Sequence, residues 1–414
     1  MKRWTIVLAL LIMIILLTYY NSFEGIDNIF CDVNYQSSKY IDPRIIIIGV
    51  DDKSLEEIGK WPWSRKIHAK LIKLLQQGNP AAIGLDFMFT EEDDFKEDQF
   101  LANAIKGNNN IVLPVVGKFA EELKSGKIDV QSILQPIELL KKNVVLGHIN
   151  VIPDADSIVR NALVYFEHNQ EKIYSFSWQL YNMYLENTNQ KDVDFSMSLD
   201  QWNRMYINYY GEPFDMEYIS YSKVLNGEIP VEYFKNKIVL VGVYSIGLDD
   251  YYVTSIERQV PMYGIEIHAN IIQDLLSGKI KHVAPFYFNL LFLIFMSILS
   301  FIFIDRLSPS RSIIAIILLI ISYIIITKII YNLGLVMNMT YPILSSIIIY
   351  SSLTLYDFIH EINEKKLVKD LFGRYVSKEV VNKILKDGKA GIRLGGERKE
   401  ATFVFKIFYW NFSI

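Results

Sequence analysis

The chain has 414 residues, 51% of them apolar or aromatic, and its 42 Lys and Arg nearly balance its 46 Asp and Glu, for a formal charge of −4. With a mean hydropathy above zero, that balance excludes general disorder and a basic nucleic-acid surface, and it implies membrane segments. The single cysteine, Cys31, excludes an internal disulfide framework and a Cys-rich zinc site.

The first predicted element follows Met1, Lys2 and Arg3, where residues 4–20 form an unbroken apolar run. The flank Asn21 to Gly25 offers no small-x-small cleavage site, so residues 1–21 read as an uncleaved signal anchor, with a removed signal peptide as the alternative. Strand and helix signals then alternate over residues 22–283. Residues 44–50, 82–86, 110–116, 143–149, 205–209 and 237–243 are strand candidates, and residues 64–77 and 264–276 have helical spacing. Apolar strands without alternation imply a sheet covered on both faces, hence an α/β domain. It is expected to be one domain, the most linker-like stretch being 187–194. The acidic run 91–98 is expected to be a solvated loop.

Three more apolar runs, 286–304, 312–331 and 335–356, lie in the region 284–356, each near the ~20 residues that cross a ~30 Å hydrocarbon core. Pro342 is expected to kink the last. Four transmembrane α-helices place Lys2 and Arg3, Arg306 and Arg311, and Lys365, Lys366 and Lys369 on one side, the cytoplasmic one. The turn at Asn332, Leu333 and Gly334 is then external, with Lys328 snorkelling beside it. The expected product is a multi-pass protein of the cell membrane with both termini cytoplasmic, an extracytoplasmic α/β domain and a short cytoplasmic helical tail.

Within the external domain, Asp51 and Asp86 directly follow apolar strands and could meet at the carboxyl ends of the sheet, where open α/β folds bind ligands. Asp249, Asp250 and His268 could join them as a cation or ligand site. The alternative is that the aspartates cap helices and turns and that His268 is a packed histidine. Trp61, Pro62 and Trp63 read as an ordered turn packed on the sheet. No nucleophile elbow and no P-loop is present, and few ionisable residues fall in the spans, which argues against an external enzyme or a transporter.

Several strings in this region resemble the type 2 CHASE sensory domain. They are Asp42-Pro43-Arg44 with the strand to Val50 and Asp51-Asp52, the turn from Trp61 to Arg65 with His68, and Ala82 to Asp86. Gly147 to Asp156 with Arg160, Ile207-Asn208-Tyr209 with Gly211, Phe234 to Gly242, and Gly264 to Asn270 complete the ordered set. The resemblance implies an extracytoplasmic sensor coupled to a cytoplasmic signalling enzyme, with an unknown extracytoplasmic ligand.

The tail begins with linker helices over 357–393. Ile359, Ile362 and Leu367 lie on a charged helix leaving the membrane and suggest a weak homodimer. A second helix is predicted at 378–385. Leu371 to Ser377 with Val380 and Val381, then Leu394 to Phe405, look like the lead-in and first strand of a class III adenylate/guanylate cyclase. In that family the strand runs into the first of two metal-binding aspartates, whereas here Lys406 and Ile407 follow. The resemblance implies that residues 394–414 are the truncated start of a cyclase domain. No catalytic residue and no cofactor are expected, Mg or Mn belonging only to a complete cyclase. A genuine short tail is the alternative for the terminus. For function, the alternative is a cyclase active as a complete gene product or with a partner's catalytic domain. The remaining expected partner is the lipid bilayer.

Overall fold

The computed structural model describes residues 3–36, 40–119, 128, 130–190, 199–200, 202–245, 247–248, 250–278, 280–372 and 402. The predicted helix at 378–385, Asp249 and, Thr402 apart, the cyclase-like stretch 394–414 lie outside the described residues.

The chain opens with α1 (Arg3–Tyr19), turns at Asn21, whose φ is +48°, and continues in α2 (Glu24–Tyr35). The domain that follows is built on seven strands: β1 (Ile45–Val50), β2 (Ala82–Leu85), β3 (Ile111–Phe119), β4 (Val130–Leu134), β5 (Val145–His148), β6 (Tyr218–Ser220) and β7 (Ile238–Val243). Their order is β6-β1-β7-β2-β3-β4, with β5 also paired to β3, and every pairing is parallel except β3 with β4. The run of four isoleucines in β1 forms a central strand because alternate side chains are buried on opposite faces. Ile45, Ile47, Ile238 and Leu240 enter one core, and Ile46, Ile48, Val239 and Val241 the other.

Helices α3 (Asp52–Ile58), α4 (Arg65–Gln77), α5 (Phe95–Ile105), α6 (Phe176–Thr188) and α7 (Gly264–Ser277) cover the sheet. Ser64 caps α4 by accepting from the Lys66 N–H at 3.2 Å, and the helix buries Leu71, Ile72 and Leu75 against the second core. Each such burial contributes about 1.5–3 kcal/mol. The opposite core is closed by α6 and α7 and takes residues from Ile45 to Ile280, on both sides of the linker-like stretch 187–194.

The acidic run 91–98 is a solvated loop only as far as Asp94; the rest opens a helix. Asp94 caps α5 by accepting from the Lys96 N–H, and Asp98 is buried in an ion pair with Arg65. Acidic side chains belong at a helix N-terminus, where unpaired N–H groups point outward. Residues 205–209 do not join the main sheet. The strand Arg204–Tyr206 pairs instead with Asn161–Leu163, which leaves Ile207 to Tyr210 for the contacts described below.

Among the described residues three helices are long and apolar enough to cross a membrane, not four: α8 (Phe286–Arg306), α9 (Pro309–Asn332) and the portion Thr340–Leu367 of α10 (Thr340–Phe372). At 17 residues α1 measures about 26 Å at ~1.5 Å per residue, short of a ~30 Å core. It qualifies only jointly with Glu24–Val33 across an 80° bend. It still packs in the bundle, where Val7 meets Phe301, Ile304 and Leu353. Buried Ser297 and Ser345 return their hydroxyls to carbonyls of their own helices, so helix backbones approach closely. Pro342 produces no kink because α10 begins at Thr340, placing it in the first turn, where its missing N–H costs nothing. The predicted start of that span is instead a short strand, Leu335–Val336, paired in parallel with His282–Val283. The turn between α9 and α10 is thereby fastened to the α/β domain. At the other end of the bundle, Arg3 bonds Asp305 at 3.0 Å and Asp357 at 2.5 Å.

Candidate functional site

The carboxyl edge of the sheet receives Asp51 from β1, Asp86 from β2 and Asp250 from the chain after β7. Asp51 caps α3, accepting from the Ser54 N–H at 2.9 Å, the Ser220 hydroxyl at 2.9 Å, the Tyr218 hydroxyl at 2.5 Å and the Ser54 hydroxyl. Burial alone would raise its pKa, but these donors stabilise the anion and hold it below the usual carboxylate range.

Asp86 and Asp250 behave oppositely. Burial, then the charge of Asp250, pushes the Asp86 carboxyl well up, and burial raises Asp250 to about 6. No hydrogen bond reaches either carboxylate among the described residues, so the pair is stabilised by protonation. Where the folded pKa of an acid is raised, the folded state binds more protons than the unfolded chain. Stability is then fully present below the unfolded value, near 4, and is lost as pH rises through about 6. Asp86→Asn is expected to flatten this decline and to add on the order of 1 kcal/mol at pH 7.5. Melting temperatures from pH 4.5 to 7.5 measure it, and an unchanged slope would contradict the pairing.

His268 does not join these aspartates. Its Nδ1 lies 2.8 Å from the Ser177 hydroxyl, its ring packs on Phe176, and burial lowers its pKa to about 4. Together with His148 it lines a cavity of about 20 Å³, room for about one water. His148 is buried with neither ring nitrogen in a hydrogen bond, and burial followed by the nearby His268 lowers its pKa to about 3. Of the predicted site residues, then, Asp86 meets Asp250, Asp51 serves as a cap, and His268 faces a separate cavity. No group of three or more His, Cys, Asp or Glu able to hold a metal occurs among the described residues. Trp61 and Trp63 pack with His68, Phe87 and Tyr221, and Tyr221 bonds His68 at 3.0 Å.

The most heavily bonded polar cluster lies at the junction with the membrane helices. Arg160, 2% exposed, bonds Asp32 of α2 through two 2.9 Å contacts, Asp154 at 2.9 Å, and Asp156 at 2.8 and 2.7 Å. Arg258 reaches the same Asp32 at 2.5 Å. Five residues earlier in α2, Asp27 accepts from the Met339 and Thr340 N–H groups at 2.8 and 2.7 Å, capping α10 from outside its own helix. From α9, the Tyr331 hydroxyl donates to Asn208 at 2.6 Å, and Asn208 donates to Asp274 of α7 through its side chain at 2.7 Å and its backbone at 2.8 Å. Apart from the strings that carry Asp154, Asp156 and Arg160 and that carry Asn208, none of this was marked in the sequence, because the partners lie on distant elements.

No curated protein and no solved structure matches the chain. A family model does, described as the CHASE2 domain, and its match runs from within α1, through the whole α/β domain, into α8. With residues 7–302 matched, this chain belongs to the CHASE2 domain family.

Proposed function

We propose that this membrane protein is an extracytoplasmic sensor, the receptor part of a system whose output is a class III adenylate/guanylate cyclase. The observation that carries the reading is the junction itself: a sensor-family α/β domain bonded to α2 and α9, with α2 in turn bonded to α10, through buried polar contacts. Such contacts transmit a rearrangement of the domain to the bundle in a way that a flexible tether does not. With α1 and α2 counted together as one bent fourth span, the distribution of Lys and Arg supports placing the domain outside and both termini inside. An unidentified ligand would act at the carboxyl edge of the sheet, where Asp86 and Asp250 leave carboxylates unbonded among the described residues and Asp51 flanks them, with His268 set apart in its own cavity.

On the inner side, α10 runs past the bundle with Ile359, Ile362 and Leu367 exposed, which supports weak self-association. That would bring two output domains together. In the resemblance to the cyclase family, Lys406 and Ile407 stand in the sequence where a cyclase carries its first metal carboxylate. Two metal ions activate the ribose hydroxyl and neutralise the triphosphate, and they cannot be held without paired carboxylates.

The purified chain is expected to make no cyclic AMP or cyclic GMP with Mg²⁺ or Mn²⁺. Replacing residues 373–414 by a complete class III catalytic domain is expected to give an active chimera. Ile362→Asp with Leu367→Asp should lower its rate at least tenfold. Product from the original chain would overturn the reading of the tail, and a chimera indifferent to both substitutions would overturn the pairing role of α10.

A further inference from the structure

A buried carboxylate joins the closing helix of the α/β domain to a membrane-spanning helix. Asp274, on the inner face of α7, is 0% exposed. Its Oδ1 accepts from the Asn208 side-chain amide at 2.7 Å and from the Tyr210 hydroxyl at 2.8 Å, and its Oδ2 accepts from the Asn208 N–H at 2.8 Å. Asn208 in turn accepts from the Tyr331 hydroxyl at 2.6 Å, one residue before the end of α9. The chain Asp274, Asn208, Tyr331 is therefore continuous and crosses from the domain to the membrane bundle.

We propose that Asp274 is the positioning residue of a proton-responsive latch, which holds the α/β domain to α9 through Asn208 and Tyr331 and loosens when Asp274 takes up a proton. Only the signalling consequence of the latch rests on the sensor reading. As an anion, Asp274 makes charge-assisted bonds to both donors of Asn208, about twice as strong as neutral ones. A proton on Oδ1 needs an acceptor, and the Tyr210 hydroxyl supplies it by turning its own hydrogen to the Ser277 hydroxyl, 3.2 Å away. The Asn208 contacts then become neutral–neutral, and Tyr331 is held by a less firmly anchored amide. The Asn208 donors are among the groups that lower the pKa of Asp274, so a loosened state that keeps the carboxyl buried but loses them binds the proton more tightly, and protonation favours it.

The groups facing Asp274 set where this happens. Burial raises its pKa, the Asn208 and Tyr210 donors lower it, and the charge of Lys281, just beyond α7, lowers it further, leaving it at about 7. Lys281 also sits 4.3 Å from the ring centre of Tyr331. Tyr209 faces Asp274 together with Arg160, Asp154 and Asp32, and Tyr206 faces Tyr331, Cys31 and Asp32. Arg160 and Asp32 are engaged with each other.

Hydrogen exchange of the full chain in lipid nanodiscs tests the latch, read in segments 204–212 and 326–336 and corrected for the intrinsic pH dependence of exchange. In the wild type, corrected exchange in both segments should rise severalfold between pH 8 and pH 6. Asp274→Asn, which fixes a neutral side chain, should show the faster exchange at both pH values. Tyr331→Phe should abolish the step in 326–336 and keep it in 204–212, and it carries the test should Asp274→Asn fail to fold. A flat wild-type profile, a step surviving in Asp274→Asn, or an unaltered step at 326–336 in Tyr331→Phe would overturn the proposal. Because exchange is read without ligand or cyclase output, its failure leaves the sensor reading standing, and failure of that reading leaves the latch standing.

Discussion

Arg160→Met is expected to destabilise the α/β domain and its attachment to α2 by about 3–5 kcal/mol, the cost of stranding buried charge when one partner is removed. The Arg160 guanidinium is the shared partner of Asp32, Asp154 and Asp156, and its side chain is 3% exposed. Burial opposes its charge, but the hydrogen bonds that it donates to Asp156 and Asp32 outweigh that and raise its pKa. With methionine in its place, three carboxylates converge on an apolar group, and Asp32 keeps only the half-exposed Arg258. Thermal unfolding followed by tryptophan fluorescence should show a fall on the order of 10 °C. A fall under about 2 °C would mean that water, not Arg160, satisfies these carboxylates.

The second large effect belongs to Phe176, the first residue of α6 and fully buried. Its ring fills the space over Gly84 of β2, where an added Cβ would lie 2.5 Å from the ring tip. Its backbone lies over Gly147 of β5, where a Cβ would approach the Phe176 Cα to 2.6 Å. The two glycines are there to let the helix approach the sheet, so both deleting the ring and filling the glycines should cost stability. Phe176→Ala is expected to lose about 3–5 kcal/mol, and Gly84→Ala about 1–3 kcal/mol through overpacking. Because Gly84→Ala fills part of the space that Phe176→Ala empties, the double variant should lose less than the sum. Strict additivity in denaturant titrations would contradict this packing.

The contrast between what the sequence discloses and what it conceals follows from the same geometry. Strands β1 and β7 are legible because a doubly covered strand must be apolar at successive positions. Helix α6 is not, since Trp178, Gln179 and Asn182 interrupt any single apolar stripe and burial of Phe176, Leu180 and Tyr184 is decided by the sheet beneath. Strand β6 has three residues, too few for a period. Asp51 and Asp86 were recognisable as strand ends, but their convergence was not. Strand β7 inserts between β1 and β2 in the sheet, so Asp86 faces the chain that follows β7. The Arg160 and Asp32 contact joins residues 128 positions apart, and nothing local in either segment announces it. The span count failed at α1 for a simpler reason: hydropathy registers an apolar run, whereas the bend after Tyr19 decides whether one straight helix is long enough.

The account depends most on the side of the membrane that holds the α/β domain. Asn332 ends α9 beside the ladder that fastens the bundle to that domain, and Ser308 lies in the turn between α8 and α9 at the opposite end, both exposed. In a Cys31→Ser background, Asn332→Cys and Ser308→Cys can be challenged in intact cells with a membrane-impermeant thiol reagent. Labelling of the cysteine at 332, with the one at 308 reacting only after permeabilisation, is the predicted result, and the reverse pattern would contradict an outward-facing sensor.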